Sequence, residues 1–512
     1  MLSRYYPLTL QALLAFTLTA PLDLEAGRGS EENSDKSYSS TNHSFVSSYR
    51  LSDNLFTPEF AVVADAGKDI VLPLAQLNVT TKLTLTGSGK GSITSWKWTL
   101  VSGAAVSISS PNAQNTLVSG FQAGFYIFQL SVSDGTTTAT DLVTVKVVDY
   151  QKKGESPCRI GAPVTWNLTP TNSTAIYRPY LRRDGFNILG GDTIKIPRNP
   201  KNGGVYAGIN LGDFGGSAGC PVVVVPADVV SISGPSAYFR LGSAPGDSNF
   251  VAHVKIDGTN LRSKGIKYGF QFINATPSPG TIGLTVNLVT DLEASGFYFQ
   301  NVGNGVLAKL DSDSSRPWRI FNNFCMKNLK FYDMFIHRTT GEAMYLGHTS
   351  PQGDAVQQPG NDGPTVRIDS IEVYNILVDS AGWDGIQVGN AIYALIHDNI
   401  ILRAGCTNKG NQRAWIIMGA NTTGKIFNNV GYNLKEGIRG TPYGNTEIYN
   451  NYGDSIMIGD PANDGLYMTG NASGPGTNIL EPRPNFKASI HDNIFSRFER
   501  FAVNLPDNYG FS

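Results

Sequence analysis

Acidic residues recur at one position in a set of short segments that share a trailing glycine. The segments are Glu342-Ala343-Met344-Tyr345-Leu346-Gly347, Asp384-Gly385-Ile386-Gln387-Val388-Gly389, Ala414-Trp415-Ile416-Ile417-Met418-Gly419 and Glu436-Gly437-Ile438-Arg439-Gly440. Asp464-Gly465-Leu466-Tyr467-Met468 extends the set, with Ser455-Ile456-Met457-Ile458-Gly459 competing for the same register. If each segment is a strand in a parallel stack, its first residue repeats about every 4.8 Å along the stack. Carboxylates that close raise one another's pKa unless a cation intervenes. Glu342 and Asp384 would stand about 5 Å apart, the spacing of a retaining glycosidase pair; Asp384 and Glu436, across Ala414, would be about 10 Å apart, at or beyond the inverting range. The structural alternative is a strand-start turn, in which the carboxylate of Asp-Gly accepts backbone N–H bonds.

A β-eliminating site needs other parts: a base for the proton alpha to a uronate carboxylate, and a cation such as Ca2+ or an arginine to neutralise that carboxylate. Arg439 and Arg413 are the arginines nearest the column, with His348 and Lys435 also in reach. Arg439 has a plainer role as the ion-pair partner of Glu436. No motif calls for a cofactor, and Ca2+ is the metal the lyase alternative would admit. Alternation along the strands turns Met344, Ile386, Ile416 and Ile438 inward, and Tyr345, Gln387, Ile417 and Arg439 outward. Trp383, Trp415 and Tyr443 lie close to that outer face, where aromatic rings could stack on sugars. The alternative for the tryptophans is burial beneath the loops 348–364 and 406–413, which would flank the face as a groove.

The elements that must position these residues announce themselves through a second repeat. Tyr374-Asn375-Ile376, Asp398-Asn399-Ile400, Asn428-Asn429-Val430, Asn450-Asn451-Tyr452 and Asp492-Asn493-Ile494 place an Asn at intervals of 24, 30, 22 and 42 residues. Intervals of this length suit the coils of a solenoid, whose apolar faces are covered only by neighbouring coils. Asn375, Asn399, Asn429, Asn451 and Asn493 are read as one structural column, since Asn tolerates left-handed backbone and stacked amides bond along the axis.

Upstream, Ile70–Leu72, Leu83–Leu85, Trp96–Trp98, Tyr126–Val132 and Leu142–Val147 have strand composition and are separated by Gly/Ser/Asn turns, the signature of a β-sandwich. The segments Ala66-Gly67-Lys68-Asp69, Leu85-Thr86-Gly87-Ser88-Gly89, Ser95-Trp96-Lys97-Trp98, Gly124-Phe125-Tyr126 and Val132-Ser133-Asp134-Gly135 resemble the PKD-like, Ig-like family. The resemblance implies an accessory or spacer module without catalysis, with Trp96 or Trp98 as its core aromatic. Asp134-Gly135 reads as a hairpin turn.

Further on, Gly191-Asp192-Thr193-Ile194-Lys195-Ile196-Pro197, Tyr206-Ala207-Gly208-Ile209 and Gly219-Cys220-Pro221-Val222-Val223-Val224-Val225-Pro226 resemble the first coil of right-handed parallel β-helix proteins of the pectate-lyase-like superfamily. That resemblance implies an all-β chain in which an Ig-like sandwich precedes a solenoid. The vicinal Asp pair of galacturonases and the calcium cluster of pectate lyases are both missing from the pattern. The expected organisation is a signal peptide over 1–26, a disordered linker over 27–56, the sandwich over 57–149, a connector over 150–180 and the β-helix over 181–512.

Composition narrows the partners. The formal net charge is −1 and charged residues make up only 16% of the chain, so there is no basic footprint for nucleic acid. No apolar run reaches the length of a membrane helix. Arg4 followed by the apolar stretch 8–20 suits export, although Pro7, Gln11 and Leu18 depart from the usual pattern. A secreted or cell-surface monomer is expected. Cys158, Cys220, Cys325 and Cys406 show no metal spacing; buried free thiols are preferred to a Cys158–Cys220 bridge. Three functions stay open: a polysaccharide lyase, a glycoside hydrolase using paired carboxylates, and a non-catalytic polysaccharide-binding or adhesive protein.

Overall fold

The computed structural model describes residues 62–512, leaving out 75–76, 78–81, 179, 243–248, 314, 320–322, 349–364, 411, 420, 441–445, 455–465, 469–487, 498–502 and 505–512. The expected signal peptide and linker, most of the loop 348–364, Tyr443 and Asp464 therefore lie outside the described residues.

The first body is a sandwich. Ile70–Pro73, Thr138–Val148, Gly124–Ser133 and Ser95–Ser102 form one sheet; Leu83–Thr86, Asn115–Ser119 and Ser107–Ile108 form the other. Alternation puts Tyr126, Phe128, Leu130 and Val132 of one strand into the core against Val143, Val145 and Val147 of the next. Trp98 is the core aromatic and donates its indole N–H to the Gln114 carbonyl at 3.1 Å, whereas Trp96 is only partly buried. Asp134 accepts the N–H groups of Thr136 and Thr137 at 2.8 and 2.7 Å, so it closes a turn.

Twenty-nine strands then form one continuous, parallel, hydrogen-bonded system. This is a right-handed parallel β-helix. It begins earlier than expected: Thr165–Asn167 and Ala175–Arg178, inside the supposed connector 150–180, already pair with Thr193–Ile196 and Gly208–Leu211. From about residue 290 each coil gives one strand to each of three sheets. In the first sheet Leu329, Ile371 and Ala394 are in register. In the second, Phe335, Leu377, Ile400, Val430, Tyr452 and Ile494 are in register. The third contains β1 (Phe297–Ala308), β2 (Met344–Gly347), β3 (Ile386–Gly389), β4 (Ala414–Met418), β5 (Glu436–Gly440) and β6 (Leu466–Met468).

One core runs the length of the solenoid. In the third sheet it contains the stack Val306, Met344, Ile386, Ile416 and Ile438, all fully buried and in register. Burying such a side chain contributes roughly 1.5–3 kcal/mol, and only a neighbouring coil can supply the cover.

The turn from the first sheet to the second explains the Asn repeat, and splits it between two adjacent positions. Asp333, Asn375, Asp398, Asn428, Asn450 and Asp492 occupy the left-handed region at φ of 52–56°. Asn and Asp tolerate that geometry best after Gly. The next residue carries the amide ladder: Asn399 donates to Asn429, Asn429 to Asn451 and Asn451 to Asn493, each at 2.9 Å. Asn375 is therefore corrected out of the ladder. It is an exposed left-handed turn residue, and the ladder position of its coil is Ile376, whose N–H donates to Asn399 Oδ1 at 3.0 Å.

Candidate functional site

The acid column is assembled at the start of the third-sheet strands. Met344 pairs with Ile386, Ile386 with Ile416, and Ala414 with Glu436. The N–H of Ala343 donates to the Asp384 carbonyl at 3.0 Å, which sets Glu342 beside Asp384. Leu466 pairs with Ile438, so Leu466–Met468 is the next strand in the stack. Strand spacing puts adjacent members of the column about 5 Å apart.

All three acids are buried, Asp384 completely. Glu342 Oε2 accepts a hydrogen bond from Asn304 Nδ2 at 2.7 Å. Burial pushes the Glu342 carboxyl up, and the Asn304 bond pulls it back only in part. Asp384 Oδ1 accepts the Ala414 N–H at 2.8 Å; its Oδ2 has no hydrogen-bond partner among the described residues. Burial raises the Asp384 carboxyl well above the usual range, and the negative charges of Glu342 and Glu436 add to it against the N–H of Ala414 and the charge of Arg439. Glu436 is different: Arg439 Nη2 bonds its Oε1, and Arg413 Nε stands 3.9 Å from its Oε2. The column therefore contains two carboxyls that favour the proton and one that is held as an ion pair. The Glu436–Arg439 pair is largely buried, unlike the surface contact that the sequence suggests.

The outer face departs from expectation. Tyr345, Gln387, Ile417 and Arg439 do share a register column. However, Gln387 is only 3% exposed and Ile417 6%, so the middle of this face is covered and is not an open groove. Tyr345 and Arg439 retain partial exposure at either side. Trp415 cannot stack on a sugar: it is fully buried, and its ring fills the space left by Gly431, where an added Cβ would lie 2.1 Å from the ring. Trp383 is half-buried, with the Lys409 ammonium 5.4 Å from its ring centre. Lys309 sits in the same way 5.1 Å from Tyr345.

His348 does not join the acids. It follows the far end of β2, six residues from Glu342 and so about 20 Å along the strand, and its Nε2 lies 3.3 Å from Asp311. With His348 and Lys309 close by, the Asp311 carboxyl is held down at about 2 despite its burial. Asn304 is the member of the site that sequence reasoning misses. Its signal is present, since Asn304-Gly305-Val306 repeats the pattern of Asp384-Gly385-Ile386 earlier in the chain.

The donors do not suit Ca2+, which takes six to eight oxygens. Glu436 is committed to arginine, Glu342 to Asn304 and Asp384 Oδ1 to the backbone. Among the described residues no group of three or more His, Cys, Asp or Glu is arranged to hold a metal ion.

Cys158 and Cys220 form a disulfide with a Cα–Cα distance of 5.8 Å, which corrects the preference for free thiols. Cys325 is half-buried, Cys406 is exposed, and neither is bridged. No helix among the described residues is long and apolar enough to cross a membrane.

Residues 66–147 match a family of PKD domains. The sandwich is a PKD domain. The same segment is similar to the solution structure of the PKD domain from KIAA 1837 protein, with 31% identity over 16% of this chain and 83% of that one, at a TM-score of 0.15. Beyond the PKD domain, the chain is similar to the Yersinia enterocolitica family 28 exopolygalacturonase, at 11% identity over 83% of this chain and 84% of that one, with a TM-score of 0.31. It is also similar to the A-module of the Azotobacter vinelandii mannuronan C-5 epimerase AlgE6, at 11% identity over 62% and 92%, with a TM-score of 0.19. No curated protein matches the chain.

Proposed function

We propose that the β-helix is an extracellular carbohydrate-active module that cleaves an acidic polysaccharide at the Glu342–Asp384 pair, with the PKD domain as its accessory. One observation carries the reading: two carboxyls in register on adjacent strands are both raised by burial, and one of them has an unpartnered oxygen. An acid and a base of this kind work near neutral pH only when their pKa values are shifted upward. Arg439 and Arg413, oriented by Glu436, supply fixed positive charge for a uronate carboxylate.

In β-elimination, ionised Glu342 takes the proton alpha to the uronate carboxylate. The electron pair forms the ring double bond, the glycosidic C–O bond breaks, and neutral Asp384 protonates the departing oxygen. Hydrolysis is the second reading, favoured by the adjacent-strand spacing, which is that of a retaining pair. Export is supported by the Cys158–Cys220 bridge, since such bridges persist in oxidising compartments.

The test is incubation of the full chain with a panel of uronate polysaccharides, following ultraviolet absorbance and new reducing ends. Elimination gives both signals, and hydrolysis gives reducing ends alone. Asp384→Asn and Glu342→Gln should each lower the rate at least about a hundredfold while unfolding stays cooperative. Neither signal on any polymer would reject cleavage and leave a polysaccharide-binding or adhesive protein.

A further inference from the structure

A second cluster, unused by the cleavage site, lies where the second sheet turns into the third. In-register pairing aligns Arg338, Ser380, Arg403, Asn433 and Arg497 at this turn along the stack. Arg338 and Arg497 hold left-handed backbone at φ of 57° and 52°, a conformation that favours Asn, Asp or Gly. Arginine is an unfavourable choice for such a turn, so its recurrence points to a use for the side chain.

The side chains build a ledge. Arg403 binds Asp379 through Nε at 2.8 Å and Nη2 at 2.5 Å, and Arg497 binds Asp454 through Nε at 2.8 Å and through Nη2. These bonds fix both guanidinium planes and use two of the five N–H donors on each. Arg338 is exposed and forms no ion pair among the described residues, so the ledge keeps an uncompensated positive charge. Between the arginines, Tyr432 is 38% exposed, and with Asn433, Arg403 and Arg497 it lines an open cavity of about 400 Å³. Strand spacing separates Arg338 from Arg403 by about 10 Å and Arg403 from Arg497 by about 14 Å. One small anion cannot span these intervals, whereas an extended polymer with a carboxylate on each sugar can.

We propose that this ledge is a docking site for an extended polyuronate chain, with the arginines taking carboxylates and Tyr432 supporting a sugar face. The inference rests on the acidic-polysaccharide reading for the choice of polymer, but not on cleavage. Its test is therefore made in the uncleaving Asp384→Asn background, by affinity electrophoresis of the full chain through gels containing polygalacturonate, alginate or neutral dextran. Retention by a uronate polymer and not by dextran is expected, falling as salt is raised.

Arg403→Gln/Arg497→Gln should weaken retention roughly tenfold, as two exposed charge contacts would. Because that variant leaves Asp379 and Asp454 without their arginines, Arg338→Gln/Tyr432→Ala provides a second test that breaks no described ion pair and should weaken retention severalfold. Lys201→Ala/Lys264→Ala, which removes the same charge elsewhere, should leave it unchanged. Equal retention of all variants, or an equal loss with the lysine pair, overturns the proposal. Failure of cleavage with retention intact would reject only the catalytic reading.

Discussion

Replacing Asn429 by Ala should be among the most damaging single changes in the solenoid. The side chain is fully buried. Its Nδ2 donates to the carbonyls of Ile396 and Phe427 and to Asn451 Oδ1 at 2.9, 3.0 and 2.9 Å; its Oδ1 accepts Asn399 N at 3.2 Å and Asn399 Nδ2 at 2.9 Å. Some partners keep a second bond. Asn399 Nδ2 also reaches the Val373 carbonyl, and Asn451 Oδ1 also accepts Asn429 N–H. The Asn399 backbone N–H has no such substitute among the bonds described. With about 1–3 kcal/mol for each buried group left unsatisfied, the expected cost is about 3–5 kcal/mol. Asn429→Asp keeps the shape but cannot donate, so it should cost at least as much. Asn375→Ala, at the exposed turn, should cost only the left-handed penalty of about 1–2 kcal/mol. Urea unfolding followed by far-ultraviolet circular dichroism measures all three. A cost below about 1 kcal/mol for Asn429→Ala, or one equal to that of Asn375→Ala, would refute the view that bonded amides hold the coils in register.

Asp384 binds its proton more tightly folded than unfolded, so its contribution is full below the unfolded carboxyl range and is lost as pH rises toward the folded pKa. Asp384→Asn should therefore flatten the decline of stability from acid to neutral pH; an unchanged pH profile in chemical denaturation would contradict this. Reducing the Cys158–Cys220 bridge, which closes a separation of 62 residues, should cost about 4 kcal/mol, read as a lower thermal midpoint with reductant. Asp492 and Glu447 hold the exposed His491 imidazole above its ordinary pKa. Its contribution to stability is present below the unfolded value and fades as pH rises through the folded one. Proton NMR should show His491 titrating above a denatured-state reference, and Asp492→Asn/Glu447→Gln should remove the difference.

The strand register of the third sheet is legible because its apolar residues alternate with a period of two and each segment ends on glycine. That pattern fixes which residues share a column, as it does for Met344, Ile386, Ile416 and Ile438. It cannot say what covers the outer side of a strand, and so it turns Trp415, Gln387 and Ile417 toward a groove when they are buried. The Asn repeat is visible, but the pattern merges its two functions. Only backbone geometry separates the left-handed position from the neighbouring ladder position, and only that separation removes Asn375.

The sequence by itself determined the architecture and the acid column, because local periodicity and turn chemistry are written residue by residue. Tertiary structure decided the state of that column. Whether a carboxyl holds its proton depends on burial and on charges brought from other coils, and these turn Asp384 into a neutral acid while Arg413 and Arg439 keep Glu436 as an ion pair. The disulfide across 62 residues and the arginine ledge arise in the same way, from stacking that joins side chains far apart in the chain.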